Sequence, residues 1–395
     1  MSSSFSRRSL FKGAAAAAGA SVLGRVAPAF AQSAPADKST LLIVFLNGGY
    51  NSLFCSHDSF QGTGAFGCSS GNGRDLGNGL VVDAATYGTM PAFALSHMAS
   101  VGIRHGLTAH EAAQPSLASA GGRSYLVRLA KAMGGDSAIK AAVVGGGQPD
   151  GPKPAEDGVS LQGITDMKAT IVALGGDLDP TVPNREIATN ALVGSTFMSK
   201  KRLFRSPNSL RSVKEGLDTG VETLRKQGLA LDYPALCQAY GVTVGTTAVN
   251  NFRTQMMAAE LMVQAGANVI FANDNGWDTH GDTNGSNVRN MMNQRILPGL
   301  NTFMSRLLQA EGRNVTVAIY GDFARSLPGS DHQGNLTATV IGKNVRVGTN
   351  GRTASNVALP AGTPGIQQFW AYLAAVTRAS EQPFGQNPHT ALTLS

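Results

Sequence analysis

The chain has 395 residues, of which 42% are hydrophobic and only 14% charged, with 48 glycines and a formal charge of +7. That balance suits a loop-rich α/β core and does not suit a charged, solvent-bridging protein. Arg7, Arg8, Lys12 and Arg25 supply four of the positive charges within residues 1–31, which hold no acid, so a chain processed there carries about +3. With no basic patch interleaved with aromatics, nucleic acid is not an expected partner.

Ser6-Arg7-Arg8-Ser9-Leu10-Phe11-Lys12 is similar to the twin-arginine export consensus. Gly13 to Leu23 is an Ala-rich apolar region too short and too weakly apolar to span a bilayer, and Ala29-Phe30-Ala31 offers a small-x-small cleavage site. The expectation is a twin-arginine signal peptide over 1–31, a linker over 32–39 and a single α/β domain over 40–395. The protein is then periplasmic or extracellular, meets the twin-arginine translocase during export, and has no stable membrane span. Of the three cysteines, Cys55 and Cys68 lie in one Gly/Ser-rich loop and could pair in an oxidising compartment, which leaves Cys237 as a buried thiol on a helix.

Thr40 to Leu46 is a continuous apolar run of strand length that ends in Asn47-Gly48-Gly49, as in a strand covered on both faces. A long loop follows over Cys55–Gly79, with His57-Asp58 as a local turn. Met90–Met98 reads as a short helix, and Val101–Leu107 as a strand leading to Thr108-Ala109-His110. Arg123–Met133 has helical spacing. Ala141–Val144 and Ala169–Leu174 are weaker strands flanking a Gly/Pro loop over Gly145–Gly158, and Ser206–Gln227 is a polar helix.

The C-terminal half repeats one unit. Phe252, Met256, Ala259 and Val263 share a helix face closed by Gly266, and Ala267–Phe271 is the next strand. Met292, Ile296, Leu300, Phe303 and Leu307 form another stripe, closed by Gly312 and followed by the strand Val315–Tyr320. Helix and strand in alternation predict a mainly parallel central sheet with helices on both faces, whose ligands gather beyond the strand carboxyl ends.

Both strand ends deliver chemistry. Gly276-Trp277-Asp278-Thr279-His280 follows one, and Asp322 then Gly329-Ser330-Asp331-His332-Gln333-Gly334 follow the other. Asp and neutral His bind zinc well, and oxygen-rich sets suit magnesium, manganese or calcium. Asp278, His280, Asp322, Asp331 and His332 are therefore candidate ligands for one or two divalent ions that activate a nucleophile and clamp an ester. Singly, each Asp/His pair is more often a cap beside a surface His; their joint placement favours a shared site. Trp277 reads as a wall or core residue. Thr108 is either a nucleophile or an N-cap, and His110 either a ligand or acid/base group or a helix start. Arg104 and Arg325 pair either with an anionic substrate or with structural partners, while His97 and His389 look like helix and tail residues.

The strand Leu41–Leu46 with Gly48-Gly49, the Gly-Trp-Asp-Thr-His string, Asp322-Phe323-Ala324-Arg325 and Gly329-Ser330-Asp331-His332 together resemble the family called domain of unknown function 1501. The resemblance covers most of the chain from Leu41 and is strongest over 251–348. It implies an alkaline-phosphatase-like fold of the alkaline-phosphatase/sulfatase-like superfamily, with metals at strand ends and twin-arginine export. Asn51 stands where the family usually has Asp and could still ligate through its carbonyl. Ala109 stands where the family often has Ser, which leaves Thr108 as a substitute nucleophile. Asp322 stands for Glu and Ala324 for Gly.

The expected function is thus an exported metal-dependent hydrolase acting on small anionic phosphate or sulfate esters. Its ion, zinc first, is held by Asp278, His280, Asp322, Asp331 and His332, with Asn51 as a further ligand and His110 near the substrate. Thr108 or an activated water is the nucleophile. The alternative is a catalytically decayed relative that keeps a metal site for structure or for ligand or partner binding in the cell envelope. Least favoured is a metal-free surface protein.

Overall fold

An unbroken apolar strand stays dry only if both its faces are covered, and Lys38–Asn47 (β1) achieves this at the centre of an eight-stranded sheet. The computed structural model describes residues 38–147, 158–174, 232–326 and 330–394. The expected signal peptide, most of the linker, most of the Gly/Pro loop, the Ser206–Gln227 helix and Gly329 lie outside the described residues.

The other strands are Met98–Arg104 (β2), Ala141–Val144 (β3), Leu161–Ile164 (β4), Val269–Asn275 (β5), Arg313–Gly321 (β6), Asn335–Gly342 (β7) and Gly348–Thr349 (β8). Their order is β8-β2-β7-β6-β1-β5-β3-β4. Within this sheet every described pair is parallel except those made by β7, which runs against β6 and β2. The fold is α/β with a mostly parallel sheet, as the alternation of helix and strand predicts.

Side chains of β1 alternate between two cores. Leu42, Val44 and Leu46 meet Phe252–Gln264 (helix α3) and Leu297–Leu307 (helix α4) through Met256, Ala259, Leu300 and Phe303. Leu41, Ile43 and Phe45 meet Tyr125–Ala132 (helix α2) and Ile366–Val376 (helix α5) through Leu126, Leu129, Trp370 and Leu373. Helices therefore cover both faces. The remaining helix that matters, His110–Ala118 (α1), starts six residues beyond β2. Asn251 and Thr254 form a capping box at the start of α3, and Gly266 ends it at φ +83°.

Registry places the chemistry. Leu46 of β1 lies beside Gly321, the last residue of β6, and Asn47 beside Asn275, the last of β5. Gly48, Gly276 and Asp322 therefore leave the sheet side by side. Arg104, the last residue of β2, pairs with Asn335, the first of β7. Because β7 is reversed, the segment entering it arrives at the rim the parallel strands leave.

Several elements differ from expectation. Ala169–Leu174 belongs to a helix, Met167–Ala173, capped by the Asp166 carboxylate on the Ala169 N–H; Met167 and Ile171, four apart, are its buried face. The edge strand next to it is Leu161–Ile164. The stripe from Met292 to Leu307 is interrupted by a π-helical turn at Met292–Ile296, next to Pro298, which has no N–H to donate to the Gln294 carbonyl one turn back. Cys55–Gly79 turns inward, burying Cys55, His57, Phe60, Phe66 and Cys68. Cys55 and Cys68 do not pair. Both are buried free thiols, Cys55 within hydrogen-bonding reach of the Tyr50 and Thr337 hydroxyls and Cys68 beside His57. His57-Asp58 is more than a local turn: His57 reaches Asn72 and Asp83, and Asp58 pairs with Arg352. His389 is buried against Tyr372 and Asn350 rather than free in a tail. Among the described residues no helix is long and apolar enough to cross a membrane.

Candidate metal centre

Three segments deliver imidazoles and carboxylates to one point on the rim. His110 is the first residue of α1, Asp278 and His280 follow β5, and His332 lies just before β7. One ligand atom each from His110, Asp278 and His332 lies within 4.8 Å of the others. His110 Nε2 is 3.7 Å from Asp278 Oδ2, and His332 Nε2 is 3.5 Å from Asp278 Oδ1. His280 joins them, its Nε2 being 3.3 Å from Asp278 Oδ1 and 3.1 Å from His332 Nε2. Bonds of about 2.0–2.2 Å around a tetrahedral zinc would set ligand atoms roughly 3.3–3.6 Å apart; the His280 and His332 contacts to Asp278 Oδ1 lie in that range, and the His110 contact, to Oδ2, is slightly wider.

The ring atoms on the far side are fixed. A backbone carbonyl only accepts, so His332 Nδ1, 2.7 Å from Thr108 O, donates to it. His280 Nδ1 faces Asp331 Oδ1 at 3.4 Å, also an acceptor. The Nε2 atoms of the two rings meet at 3.1 Å, and Asp278 Oδ1 lies 3.3 Å from that of His280 and 3.5 Å from that of His332. A cation or a shared proton relieves that contact. His110 Nε2 is buried and has no hydrogen-bond partner.

The loops are held from beneath by Arg325, 1% exposed. Its guanidinium donates to the Gly48, Trp277 and Ser330 carbonyls and to Asp278 Oδ1, the last at 2.5 Å. Burial raises the Asp278 carboxyl, but the Arg325 hydrogen bond and charge, with His332 and His280, outweigh it and hold Asp278 below the usual carboxylate range. Burial lowers Arg325 from its ordinary value, with Asp278 opposing. Trp277 packs in the core, its indole N–H on Asp274 Oδ2, and Arg295 binds the same oxygen. A short antiparallel pair, Ala324–Arg325 with His332–Gln333, folds the β6 exit back beside β7.

The remaining candidates sit differently. Asp322 is fully buried; Oδ1 accepts the Gly48 N–H, and Oδ2 accepts His110 Nδ1 at 2.5 Å and Gln114 Nε2 at 2.8 Å. Asp331 touches His280 and is the most exposed member of the group, at 74%. The Asn51 oxygen caps Leu53 N–H in the turn Ser52–Phe54. Thr108 is exposed and contributes its carbonyl; the N-cap of α1 is Ala109, without a side-chain cap, so Thr108 is no N-cap. Arg104 donates to the Leu359 and Pro360 carbonyls, away from the cluster.

Sequence reasoning misses Gln114, Phe323 and the Gly48 N–H. Gln114 lies four residues after His110, one helical turn along the same face, and that spacing is a usable signal. Phe323 packs against both His110 and His332, with ring centroids 4.8 and 4.2 Å away.

No curated protein and no solved structure matches the chain. A family match spans Asp278, His280, Asp322, Asp331 and His332 and leaves His110 outside. Residues 197–357 match the model of the family described as Protein of unknown function (DUF1501), which supports that family for this chain.

Proposed function

We propose that the protein is an exported, metal-dependent hydrolase of alkaline-phosphatase-like descent that acts on small phosphate or sulfate esters. The observation that carries this reading is the convergence of His110, Asp278 and His332 on one point, with His110 Nε2 buried and unpartnered. A bound divalent ion, zinc first given the imidazole-rich set, would supply Lewis acidity toward an ester oxygen. His110, Asp278 and His332 would hold it, with His280 as the adjoining fourth donor. Thr108 C=O orients His332, and Arg325 offsets the charge of Asp278 from below. Asp331 aligns His280. The twin arginines Arg7-Arg8 and the Ala29-Phe30-Ala31 site support export by the twin-arginine route into the periplasm or beyond.

A decayed relative that keeps the ion for structure or for a ligand is the second reading. It is favoured by Asn51, whose oxygen caps a turn, and by Ala109, which offers no hydroxyl. One experiment separates them. The full chain is expressed, recovered from the exported fraction, weighed by mass spectrometry and assayed for metal and for cleavage of aryl phosphate and aryl sulfate. The hydrolase reading expects a chain starting near Gln32, stoichiometric metal and turnover. Metal without turnover, with activity appearing only in Asn51→Asp/Ala109→Ser, establishes the decayed relative. No metal even after reconstitution ends both.

A further inference from the structure

We infer that Asp322 is a positioning residue and not a ligand: it locks His110 in the tautomer with its proton on Nδ1, so that the Nε2 lone pair faces the ion. The inference rests on the metal reading above and deepens it. A carboxylate beside an imidazole can only accept, so His110 Nδ1, 2.5 Å from Asp322 Oδ2, is the donor. A neutral imidazole has one proton, and placing it on Nδ1 leaves Nε2 bare. Nε2 is the ring atom that is buried without a partner and lies nearest Asp278 Oδ2.

Both oxygens of Asp322 are engaged inside the protein. The residue is fully buried, and its two oxygens already accept three N–H groups, from Gly48, His110 and Gln114. The oxygen nearest His110, Oδ2, already takes two donors, and Asp322 is not among the residues whose ligand atoms converge, which are His110, Asp278 and His332. Gln114 completes the brace, since its amide also donates to Asn47 Oδ1 at 2.6 Å. Asp322 thereby ties α1 to the ends of β1 and β6 and sets both the angle and the tautomer of His110. The Thr108 carbonyl does the same for His332. Outer partners of this kind typically tune metal affinity about 10–100-fold.

The test uses the full chain with zinc as probe. In metal-free wild type, nitrogen-15 histidine spectra, with His110 assigned through His110→Gln, should show its proton on Nδ1. Asp322→Asn should lose that signature and bind zinc about 10–100-fold more weakly. It should still take the wild-type number of ions at saturation, with an unchanged imidazole count by X-ray absorption. Gln114→Ala, which leaves the carboxylate in place, should keep the tautomer and lose less than tenfold in affinity; it decides the matter if Asp322→Asn fails to fold. A folded Asp322→Asn chain that cannot be loaded, or a wild type that binds zinc with the His110 proton on Nε2, overturns the positioning role alone. A wild type that binds no zinc overturns the reading of the site itself.

Discussion

Gly48 holds φ +118°, a conformation that L side chains rarely adopt, and a Cβ there would sit 2.3 Å from Asp278 N and 2.7 Å from Trp277 C. The end of β1 and the exit of β5 pack backbone on backbone at this point, and that contact sets where Asp278 stands. Gly48→Ala should therefore cost at least about 2 kcal/mol in urea unfolding and weaken metal binding with it. A variant of wild-type stability would mean that the rim is looser than this close approach implies. Much of the site was legible residue by residue: Gly48-Gly49, Asp278, His280, Asp331 and His332 all sit beside strand ends, where glycine-rich turns mark a backbone that must double back. The role of Asp322 was not legible. Acidity is visible in a sequence, but the three N–H groups that enclose the carboxylate come from Gly48, His110 and Gln114, each more than 200 residues away.

At the scale of elements, the segment after β1 shows how a loop by composition becomes part of the core. His57, Cys68 and Asp83 are buried together, and Arg289 donates to Asp83 Oδ1 at 2.9 Å. Every partner of the His57 ring can accept: Asp83 and Cys68 at Nδ1, Asn72 and Ser69 O at Nε2. Burial opposes the imidazolium, but the Asp83 hydrogen bond, with Cys68 and Asn72, outweighs it and lifts His57 from 6.5 to about 10. A raised pKa in the folded state means that the stabilisation is complete below 6.5 and disappears as pH rises through about 10. Melting followed from pH 6.5 to 10 should fall more steeply in wild type than in His57→Gln, and parallel curves would remove the charged histidine from the account. Element prediction worked where runs were long and apolar, as in β1 and β6, because burial on both faces leaves no other pattern. It failed at the sheet margin. Thr170-Ile171-Val172 is β-branched like a strand yet helical, because the Asp166 cap and the Met167/Ile171 spacing prevail over local propensity. β4, only four residues long and partly exposed, carries too short an apolar run to register.

For the molecule as a whole, the reversed strand β7 is what makes one site out of distant segments. With β7 parallel, His332 would enter the sheet at the opposite edge from Asp278. With β7 reversed, His110, Asp278 and His332, drawn from three parts of Lys38–Ser395, meet above one rim. An ion there would join α1, the β5 exit and the approach to β7, and would bind the folded chain alone, since no unfolded chain holds the three together. Linkage then requires the ion to raise stability by about 2.7 kcal/mol when its free concentration is a hundred times the dissociation constant. Thermal unfolding of the metal-loaded chain should move down by several degrees in chelator and return on adding zinc, with Asp278→Asn/His332→Ala insensitive to both. Identical melting with and without chelator, in samples whose metal loss is verified, would separate the cluster from the stability of the fold and leave three histidines and a carboxylate crowded on a rim without a cation to share.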